Sequence, residues 1–498
     1  MGCDRTVAGW ESLPPLDPAG MDADAGSWRM FVLSSAGQIA VPAPASVESE
    51  AYRAELAAVR AAQARLTAAQ RRNVQYWSGG GVLRWNQVMR ELVARFNLPP
   101  APRPDGTYPV PDAENPFSDP QFPFANPPYA ARAYSYVSVA QYETLKSAWY
   151  WKFRYNRPSP ARVDSSVRAL VPVGELPAYP SEDAVLSGVT AEMLKLLFPA
   201  AVEEITRLAA QQREAAVLSG RATASDVAAG LALGKAVAAA VTAAAGADGM
   251  RGAVGTPAQW QALADSAAAR GEVPWVSQES PARPPMLPNF GLVRAWTMTA
   301  AEVSAAQPAA PPSTSSARMA EEVEEVRRTV EGLTREQLAI AHRWNDGAGT
   351  YTPPGHWNDI AAEHVRDARM SEVRAARAFA LLNMAMHDAA VGCWAVKYRW
   401  FNPRPTQLDP RIKTVVGLPN FPAYPSGHST FSAAASEILG YLFPYAADDF
   451  AALAEEAGIS RLYGGIHYRS DIEEGKAHGA RVGRHVVGVA IADGSGGA

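Results

Sequence analysis

The sequence has few cysteines, a small net charge and little β-branched alternation, and each shortage excludes a class of protein. Only two cysteines, Cys3 and Cys393, occur among 498 residues, which excludes a disulfide scaffold and a cysteine-rich zinc site. The 46 basic and 50 acidic residues leave a net charge of -4, so composition gives no electrostatic argument for a nucleic acid as partner. Because alternating β-branched residues are scarce, the chain is predicted to be all-α.

No long hydrophobic run is well suited to crossing a membrane. The most apolar stretch, residues 227–247, is mostly alanine, which is too weakly apolar to hold a span, so we expect a packed helix and no transmembrane span. At the N-terminus, Met1-Gly2-Cys3 resembles a lipoprotein cysteine whose signal has been removed, which predicts an exported protein, periplasmic or anchored at a bacterial surface. An ordinary N-terminus is the alternative interpretation.

The distribution of proline and glycine divides the chain into four parts. Residues 1–46 are rich in Pro, Gly, Asp and Ala and are predicted to form an irregular N-terminal arm. Residues 47–270 and 317–498 carry helical periodicity and predict two helical bundles. The stretch between them, 271–316, is rich in Pro, Ser and Ala and is predicted to be a linker.

An internal repeat relates the two predicted bundles by a constant offset of 245 positions. The offset connects Lys152 with Lys397 and Asp226 with Asp471. Chance similarity between alanine-rich helices would not keep one offset across separate landmarks, so we infer two pseudo-symmetric bundles produced by an internal duplication. Further landmarks are Tyr179-Pro180-Ser181 with Tyr424-Pro425-Ser426, Leu197-Phe198-Pro199 with Leu442-Phe443-Pro444, Gly230 with Gly475 and Gly234 with Gly479.

Three short blocks in the second bundle concentrate residues that suit a tetrahedral oxyanion. Lys397, Arg404 and Arg461 supply three cations, and each guanidinium can bind two oxygens at once. Ser426 offers a hydroxyl and Gly427 a backbone N–H that an anion can approach closely, because no side chain stands in the way. A helix predicted over 429–443 would put that anion at its N-terminus, where the free N–H groups and the dipole favour negative charge.

Two histidines add chemistry that anion binding alone does not need. Of His428 and His467, one imidazole can attack or ligate the central atom and the other can move protons. Asp471 lies one helical turn after His467, where its carboxylate would hold the imidazole in the tautomer that leaves Nε2 free. His387 and Asp388, on the same predicted helix as Lys397, are candidates for supporting these groups.

In this order and spacing the three blocks resemble the signature of the superfamily that joins type-2 phosphatidic acid phosphatases, bacterial acid phosphatases and vanadium-dependent haloperoxidases. Every signature position matches, and residues 344–482 are similar to the bacterial haloperoxidase-like branch. The resemblance implies the all-α bundle fold of that superfamily. It implies that His467 is the axial ligand of vanadium or the phosphate nucleophile, and that His428 is the acid–base residue. The residues implied to bind vanadate, or a substrate phosphate in the same pocket, are Lys397, Arg404, Ser426, Gly427, Arg461 and His467.

The N-terminal bundle keeps too little of this set to act on an anion. Arg157-Pro158 persists with a shorter spacing from the first lysine. By the offset of 245, Glu182 and Asp183 replace the glycine and the histidine of the serine motif, and Ala216 and Ala222 replace the second arginine and the last histidine. Two carboxylates would repel an anion, so this bundle is predicted to be degenerate and catalytically dead.

The predicted function is that of a vanadium-dependent haloperoxidase, an enzyme that oxidises a halide with hydrogen peroxide. The two-bundle size, the missing membrane span and Phe421-Pro422-Ala423-Tyr424, which resembles the fungal chloroperoxidase pattern, favour it. The compact spacing of 33 positions between His428 and Arg461 favours the alternative, a soluble acid phosphatase that cleaves a phosphate ester through a phosphohistidine. A non-catalytic phosphate- or vanadate-binding protein is the third hypothesis, which the intact histidines disfavour. Oligomeric state, halide and organic substrate stay open.

Overall fold

Helices and turns build the described chain, which contains no β-strand. A computed structural model describes residues 13–98, 102–107 and 127–496. The predicted all-α class is therefore confirmed. The expected lipoprotein cysteine, Cys3, lies outside the described residues, and Cys393 is a buried free thiol.

Eighteen α-helices are found in the described ranges, and short 3₁₀ turns connect some of them. In chain order the helices are α1 (Glu50–Ala64), α2 (Ala68–Ser78), α3 (Gly81–Phe96), α4 (Pro127–Tyr155), α5 (Pro160–Val163), α6 (Glu182–Leu197), α7 (Val202–Leu218), α8 (Ala224–Gly246), α9 (Pro257–Ala269), α10 (Ala300–Ala305), α11 (Ala317–Glu331), α12 (Arg335–Arg343), α13 (Thr352–Asp367), α14 (Glu372–Trp400), α15 (Pro405–Leu408), α16 (Gly427–Leu442), α17 (Ala447–Tyr463) and α18 (Arg469–Ile491).

Two sets of five helices share the repeat that the sequence predicts. Helices α4 to α8 begin and end 245 positions before α14 to α18, helix by helix. One buried ion pair is duplicated with them: Arg132 with Asp248 in the first copy, and Arg377 with Asp493 in the second, both with Nε to Oδ2 distances of 2.7 Å. The chain is thus two pseudo-symmetric helical bundles, as an internal duplication predicts.

The long helices α4 and α14 pack against each other where the two copies meet. Buried apolar residues of both copies belong to one hydrophobic core. At the crossing, Asn383 donates through Nδ2 to Ser138 Oγ at 2.9 Å, and these two residues occupy equivalent positions of the repeat. Asn358 continues the buried network by donating to Asn383 Oδ1 at 2.7 Å. Because each buried amide is satisfied, this polar contact fixes how the copies meet.

The four-part division into arm, first bundle, linker and second bundle stays a prediction. Residues 13–46 form one 3₁₀ turn, Ala25–Ser27, and otherwise irregular chain. Two segments, Ala224–Gly246 and Glu372–Leu408, are long and apolar enough to cross a membrane, with 33% and 94% of their most apolar windows buried. Core helices of soluble proteins pass the same test, so the expected absence of a span also stays a prediction.

Glycines allow α16 and α18 to approach at the backbone, and this contact positions the site. A Cβ added at Gly475 would lie 2.7 Å from the Ser426 carbonyl oxygen, closer than real Cβ atoms approach. Gly230 meets the Ser181 carbonyl oxygen in the same way in the first copy. The start of α16, which carries the serine motif, is therefore held directly against α18.

We expect Gly475→Ala to destabilise the fold by about 1–3 kcal/mol, because the methyl group has no room and must displace Ser426. Gly488→Ala is the matched control on the same helix, since a Cβ there meets nothing within 4 Å. Alanine is the better helix former by about 0.5–1 kcal/mol, so the control is expected to unfold at the same or a higher temperature. Thermal unfolding by circular dichroism measures both, and equal melting temperatures for the two variants would contradict the packing argument.

Candidate active site

Three buried cations converge at one end of the second bundle. Lys397, in the last turn of α14, donates through Nζ to the carbonyl oxygens of Pro422 and Ala423, both at 2.9 Å, and to that of Pro425. Burial lowers the pKa of Lys397 to about 7, and the nearby Arg404 guanidinium lowers it further. A bound anion would favour the ammonium form again.

Two guanidiniums complete the positive surface. Arg404 donates through Nε and Nη2 to the Phe421 carbonyl oxygen, at 3.0 and 2.8 Å, and through Nη1 to that of Ile466 at 2.9 Å. Arg461 donates through Nε to Ser460 Oγ at 2.9 Å. Burial lowers the pKa of each arginine to about 10, so both stay charged at neutral pH.

None of these three cations forms an ion pair with a carboxylate among the described residues; carbonyl oxygens and a hydroxyl hold them instead. Buried charges are ordinarily paired, because desolvation of an unpaired charge is costly. In the first copy the cations around the equivalent position have acidic partners: Lys152 pairs with Glu182, Arg157 with Asp226 and Arg221 with Asp183. The unpaired set of the second copy is therefore suited to an external anion.

The imidazole of His467 is oriented by Asp471, as the sequence predicts. Its Nδ1 lies 2.7 Å from Asp471 Oδ2, which also accepts the Tyr468 backbone N–H at 3.1 Å. Because Nδ1 donates to the carboxylate, Nε2 carries the lone pair, and Arg404 Nη1 lies 3.0 Å from it. Burial and the surrounding cations lower the pKa of His467 well below its usual value, which keeps Nε2 unprotonated.

The serine motif forms the N-terminus of α16. Ser426 caps the helix by accepting the Ser429 backbone N–H at 3.3 Å, and its hydroxyl hydrogen is left for another acceptor. Gly427 is the first helical residue, and a Cβ there would lie 3.7 Å from Trp394, an ordinary contact. At the equivalent position of the first copy the Glu182 carboxylate lies 3.5 Å from Lys152 Nζ. A side chain at this position can therefore occupy the space beside the lysine, and glycine leaves that space open.

The structure adds two residues that sequence reasoning did not assign to the site. Asp346 Oδ2 lies 3.8 Å from His428 Nε2, and Asp346 Oδ1 lies 3.1 Å from His356 Nδ1. His356 stacks on Trp344 with ring centroids 4.3 Å apart. His428 Nε2 is buried without a hydrogen-bond partner among the described residues. Asp346 stands about 80 positions before His428, so no local spacing could have indicated their proximity.

The structure places His387 and Asp388 away from the site. His387 Nε2 lies 3.1 Å from the Arg294 carbonyl oxygen. Asp388 accepts the backbone N–H groups of Trp296 and Thr297 at 2.7 and 2.9 Å. Both residues therefore fasten the predicted linker to α14 rather than support the histidines of the pocket.

The donor set fits an oxyanion such as vanadate or phosphate. It combines three cations, a hydroxyl, a helix N-terminus and one imidazole lone pair, and the buried His428 Nε2 adds an unsatisfied polar atom. In the part of the chain that the structure describes, no group of three or more His, Cys, Asp or Glu residues is arranged to hold a metal ion. The residues brought together thus suit an oxyanion whose oxygens accept hydrogen bonds and whose central atom is bound by the histidine nitrogen.

We expect Gly427→Ala to fold normally but to bind oxyanions at least tenfold more weakly. A Cβ at this position meets only Trp394 and Phe431 at ordinary contact distances, so the fold should persist, whereas the methyl group would hinder the approach of an anion to the Gly427 N–H. Isothermal titration with inorganic phosphate and with orthovanadate measures binding, and thermal unfolding checks the fold. Gly440→Ala, on the same helix with its nearest contact at 3.4 Å, is the control. Undiminished anion binding by Gly427→Ala would contradict this position for the anion.

Comparison with known proteins agrees with the fold, and one family model matches residues of the second copy. Residues 377–491 match the family model of the PAP2 superfamily. The chain is similar to the first bacterial vanadium-dependent iodoperoxidase of known structure, with a TM-score of 0.59 and 23% identity over 81% of this chain and 94% of that one. It is also similar to a holo-type bacterial vanadium-dependent chloroperoxidase, with a TM-score of 0.52 and 14% identity over 78% of this chain and 97% of that one.

No curated protein matches the sequence. The matched stretch 377–491 includes every residue of the three sequence blocks. The resemblance found in the sequence is thus confirmed: the second copy matches the PAP2 superfamily, and the chain has the all-α fold of the vanadium-dependent haloperoxidases.

Proposed function

We propose that the protein is a vanadium-dependent haloperoxidase that oxidises a halide with hydrogen peroxide. The observation that carries the proposal is the unprotonated Nε2 of His467, which the Asp471 contact fixes and which lies 3.0 Å from Arg404 Nη1, within the field of three buried cations without carboxylate partners. Such a pocket offers one nitrogen ligand and several donors to an oxyanion. The two similar solved structures, an iodoperoxidase and a chloroperoxidase, support the same reaction class.

Vanadate would be held in the second copy by groups from α14, α16 and α17 and from the residues that precede α15 and α18. His467 would ligate through Nε2, while Lys397, Arg404 and Arg461 would neutralise the oxygens, with help from the Ser426 hydroxyl and the Gly427 N–H. When bound, vanadate supplies the Lewis acid that activates hydrogen peroxide toward a halide. The chain supplies the rest: a dry pocket, fixed donors and a fixed histidine tautomer.

His428 is proposed to handle the proton. Burial and the Arg461 guanidinium lower the pKa of His428 well below its usual value, so the imidazole is neutral near pH 7 and can accept a proton at Nε2. Asp346, at 3.8 Å from that nitrogen, would stabilise the imidazolium that results. His356 holds the other carboxylate oxygen and so positions Asp346.

A soluble acid phosphatase is the second candidate. The same His467 Nε2 could attack phosphorus, and the same cations would neutralise the phosphoryl oxygens. One observation favours this candidate: only the 3₁₀ turn Pro444–Ala446 separates α16 from α17, which is the short connection that the 33-position spacing indicated.

A paired assay on one metal-free preparation tests the proposal. One half receives orthovanadate, hydrogen peroxide and iodide, bromide or chloride, with halogenation of a diketone followed; the other receives a chromogenic phosphate ester without vanadate. We expect vanadate-dependent halogenation, and we expect His428→Ala to lower it by about 10²–10⁴-fold as an acid–base residue.

Ester hydrolysis that vanadate only inhibits, with no halogenation of any halide, would replace the proposal with the phosphatase. If neither halogenation nor ester hydrolysis is detected while vanadate still binds, the binding-protein hypothesis is favoured. Arg484→Gln, on the exposed face of α18 with 59% of its side chain accessible, is the control and is expected to leave either activity unchanged.

We expect Asp471→Asn to weaken vanadate binding by about 10–100-fold. The neutral amide can still accept the Nδ1–H of His467, but without the negative charge the imidazole is a poorer ligand. Titration calorimetry with orthovanadate measures the loss. Glu473→Gln, an exposed acid on the same helix, is the matched control. Equal vanadate affinities for the wild type and Asp471→Asn would remove His467 from the ligand role.

A further inference from the structure

The first copy contains a cavity of about 460 Å³ that the proposed function does not use. Its lining includes Lys152, Ser181, Glu182 and Ala222, which are the repeat counterparts of Lys397, Ser426, Gly427 and His467. The cavity therefore occupies the position that the proposed vanadate pocket occupies in the second copy. Its volume lies in the range of small-molecule sites, about 300–1,000 Å³.

The cavity follows from the exchange of large catalytic side chains for small ones. Because α5 and α15 are in register, Ser159 and not Arg157 corresponds to Arg404, which corrects the equivalence drawn from the sequence. Ala222 stands at the position of the last histidine. The Arg157 guanidinium instead binds Asp226, the counterpart of Asp471, through Nε at 3.1 Å.

The charge of the cavity is opposite to that of the proposed vanadate pocket. Lys152 is paired with Glu182, and Arg221 with Asp183, at 3.5 and 2.7 Å. Glu372 adds a buried carboxylate from the N-terminus of α14, and it has no cationic partner among the described residues; it accepts backbone N–H groups of Gly81 and Val82. Burial raises the pKa of Glu372 to about 7, and a bound cation would favour its ionised form, so the lining then carries a surplus of negative charge.

An unsatisfied hydroxyl also points to a ligand. Ser159 lines the cavity, is only 3% exposed, and its Oγ has no hydrogen-bond partner among the described residues. Buried hydroxyls ordinarily find a partner. Glu182 Oε2 lies 3.5 Å from Lys152 Nζ, which is long for a hydrogen bond and leaves this oxygen able to accept another donor.

The remaining wall is apolar and suits a hydrocarbon body. Trp149 contributes an aromatic face, and proline and aliphatic residues line the opposite sides. An occupant that matches both parts has an ammonium group at one end and an apolar or aromatic group at the other. The apolar residues of the lining are Leu16, Met21, Trp149, Pro172, Val173 and Leu176.

We propose that the first copy is a binding site for a small organic cation, a primary amine with an apolar body, with Glu182, Glu372 and Ser159 accepting its ammonium group. An anionic ligand is disfavoured because it would face the carboxylates that stand where the second copy has a glycine and a histidine. On this proposal the first copy, which is predicted to be catalytically dead, binds a cation where the second copy binds an anion. The proposal is independent of the reaction at the second copy.

Isothermal titration of the full chain with benzylamine, benzyl alcohol and phenylacetate tests the inference, since the three probes share a ring and differ in charge. We expect benzylamine to bind with one site per chain, and the neutral and anionic probes to bind at least tenfold more weakly. Ser159→Ala removes a hydroxyl that has no partner in the fold, so we expect an unchanged melting temperature and at least a threefold loss of benzylamine affinity.

Glu182→Gln is expected to lower benzylamine affinity at least tenfold, and Glu192→Gln, on the accessible face of the same helix, to leave it unchanged. Orthovanadate titration of each variant separates loss of this site from loss of the fold. Phenylacetate binding as tight as benzylamine, or wild-type benzylamine affinity in both Ser159→Ala and Glu182→Gln, would overturn the proposal. If Glu182→Gln does not fold, Ser159→Ala alone carries the test.

Discussion

Three positive charges buried without carboxylate partners are the constraint on which the second copy is built. Lys397 and the two arginines are held by backbone carbonyl oxygens, chiefly of the loop before α16 and of Ile466. Carbonyl dipoles stabilise a cation without neutralising it, so the field of the three charges persists in a dry pocket. The close approach of α16 to α18 matters for the same reason, because it fixes the loop and the helix N-terminus that face those charges.

The first copy has the same helix arrangement without the three unpaired cations. In the first copy Lys152 and Arg157 each have an acidic neighbour, and the pocket has room where Ser159 and Ala222 stand at the positions of an arginine and the last histidine. The helices have nevertheless kept their lengths and their register. The pocket chemistry therefore differs between the copies while the helix arrangement does not. This is expected when packing depends on small residues at helix crossings and chemistry on a few loop and helix-end positions.

The fold class, the repeat and part of the candidate site could be predicted from the sequence. The helical class, the offset of 245 and the His467–Asp471 contact depend on periodicity or on spacing within one helical turn, which a linear sequence displays. The Asp346–His428 approach joins segments far apart in the chain, so no pattern reveals it. The sequence matched Arg157 with Arg404 because both are arginines followed by proline. That match was wrong: the helix boundaries show that Ser159 is the residue in register with Arg404. The cavity could not be predicted at all, since volume depends on the packing of several elements.

The shared core between α4 and α14 has an evolutionary consequence. The first copy lacks counterparts of several residues that the second copy directs at its pocket, but its central helix is one wall of the second copy's interior, and Ser138 meets Asn383 across it. Deletion of the first copy would expose that interior to water, so the fold needs the surface of this copy even where the residues of its pocket change. Such a half is a protected site in which new ligand specificity can arise without risk to the original chemistry.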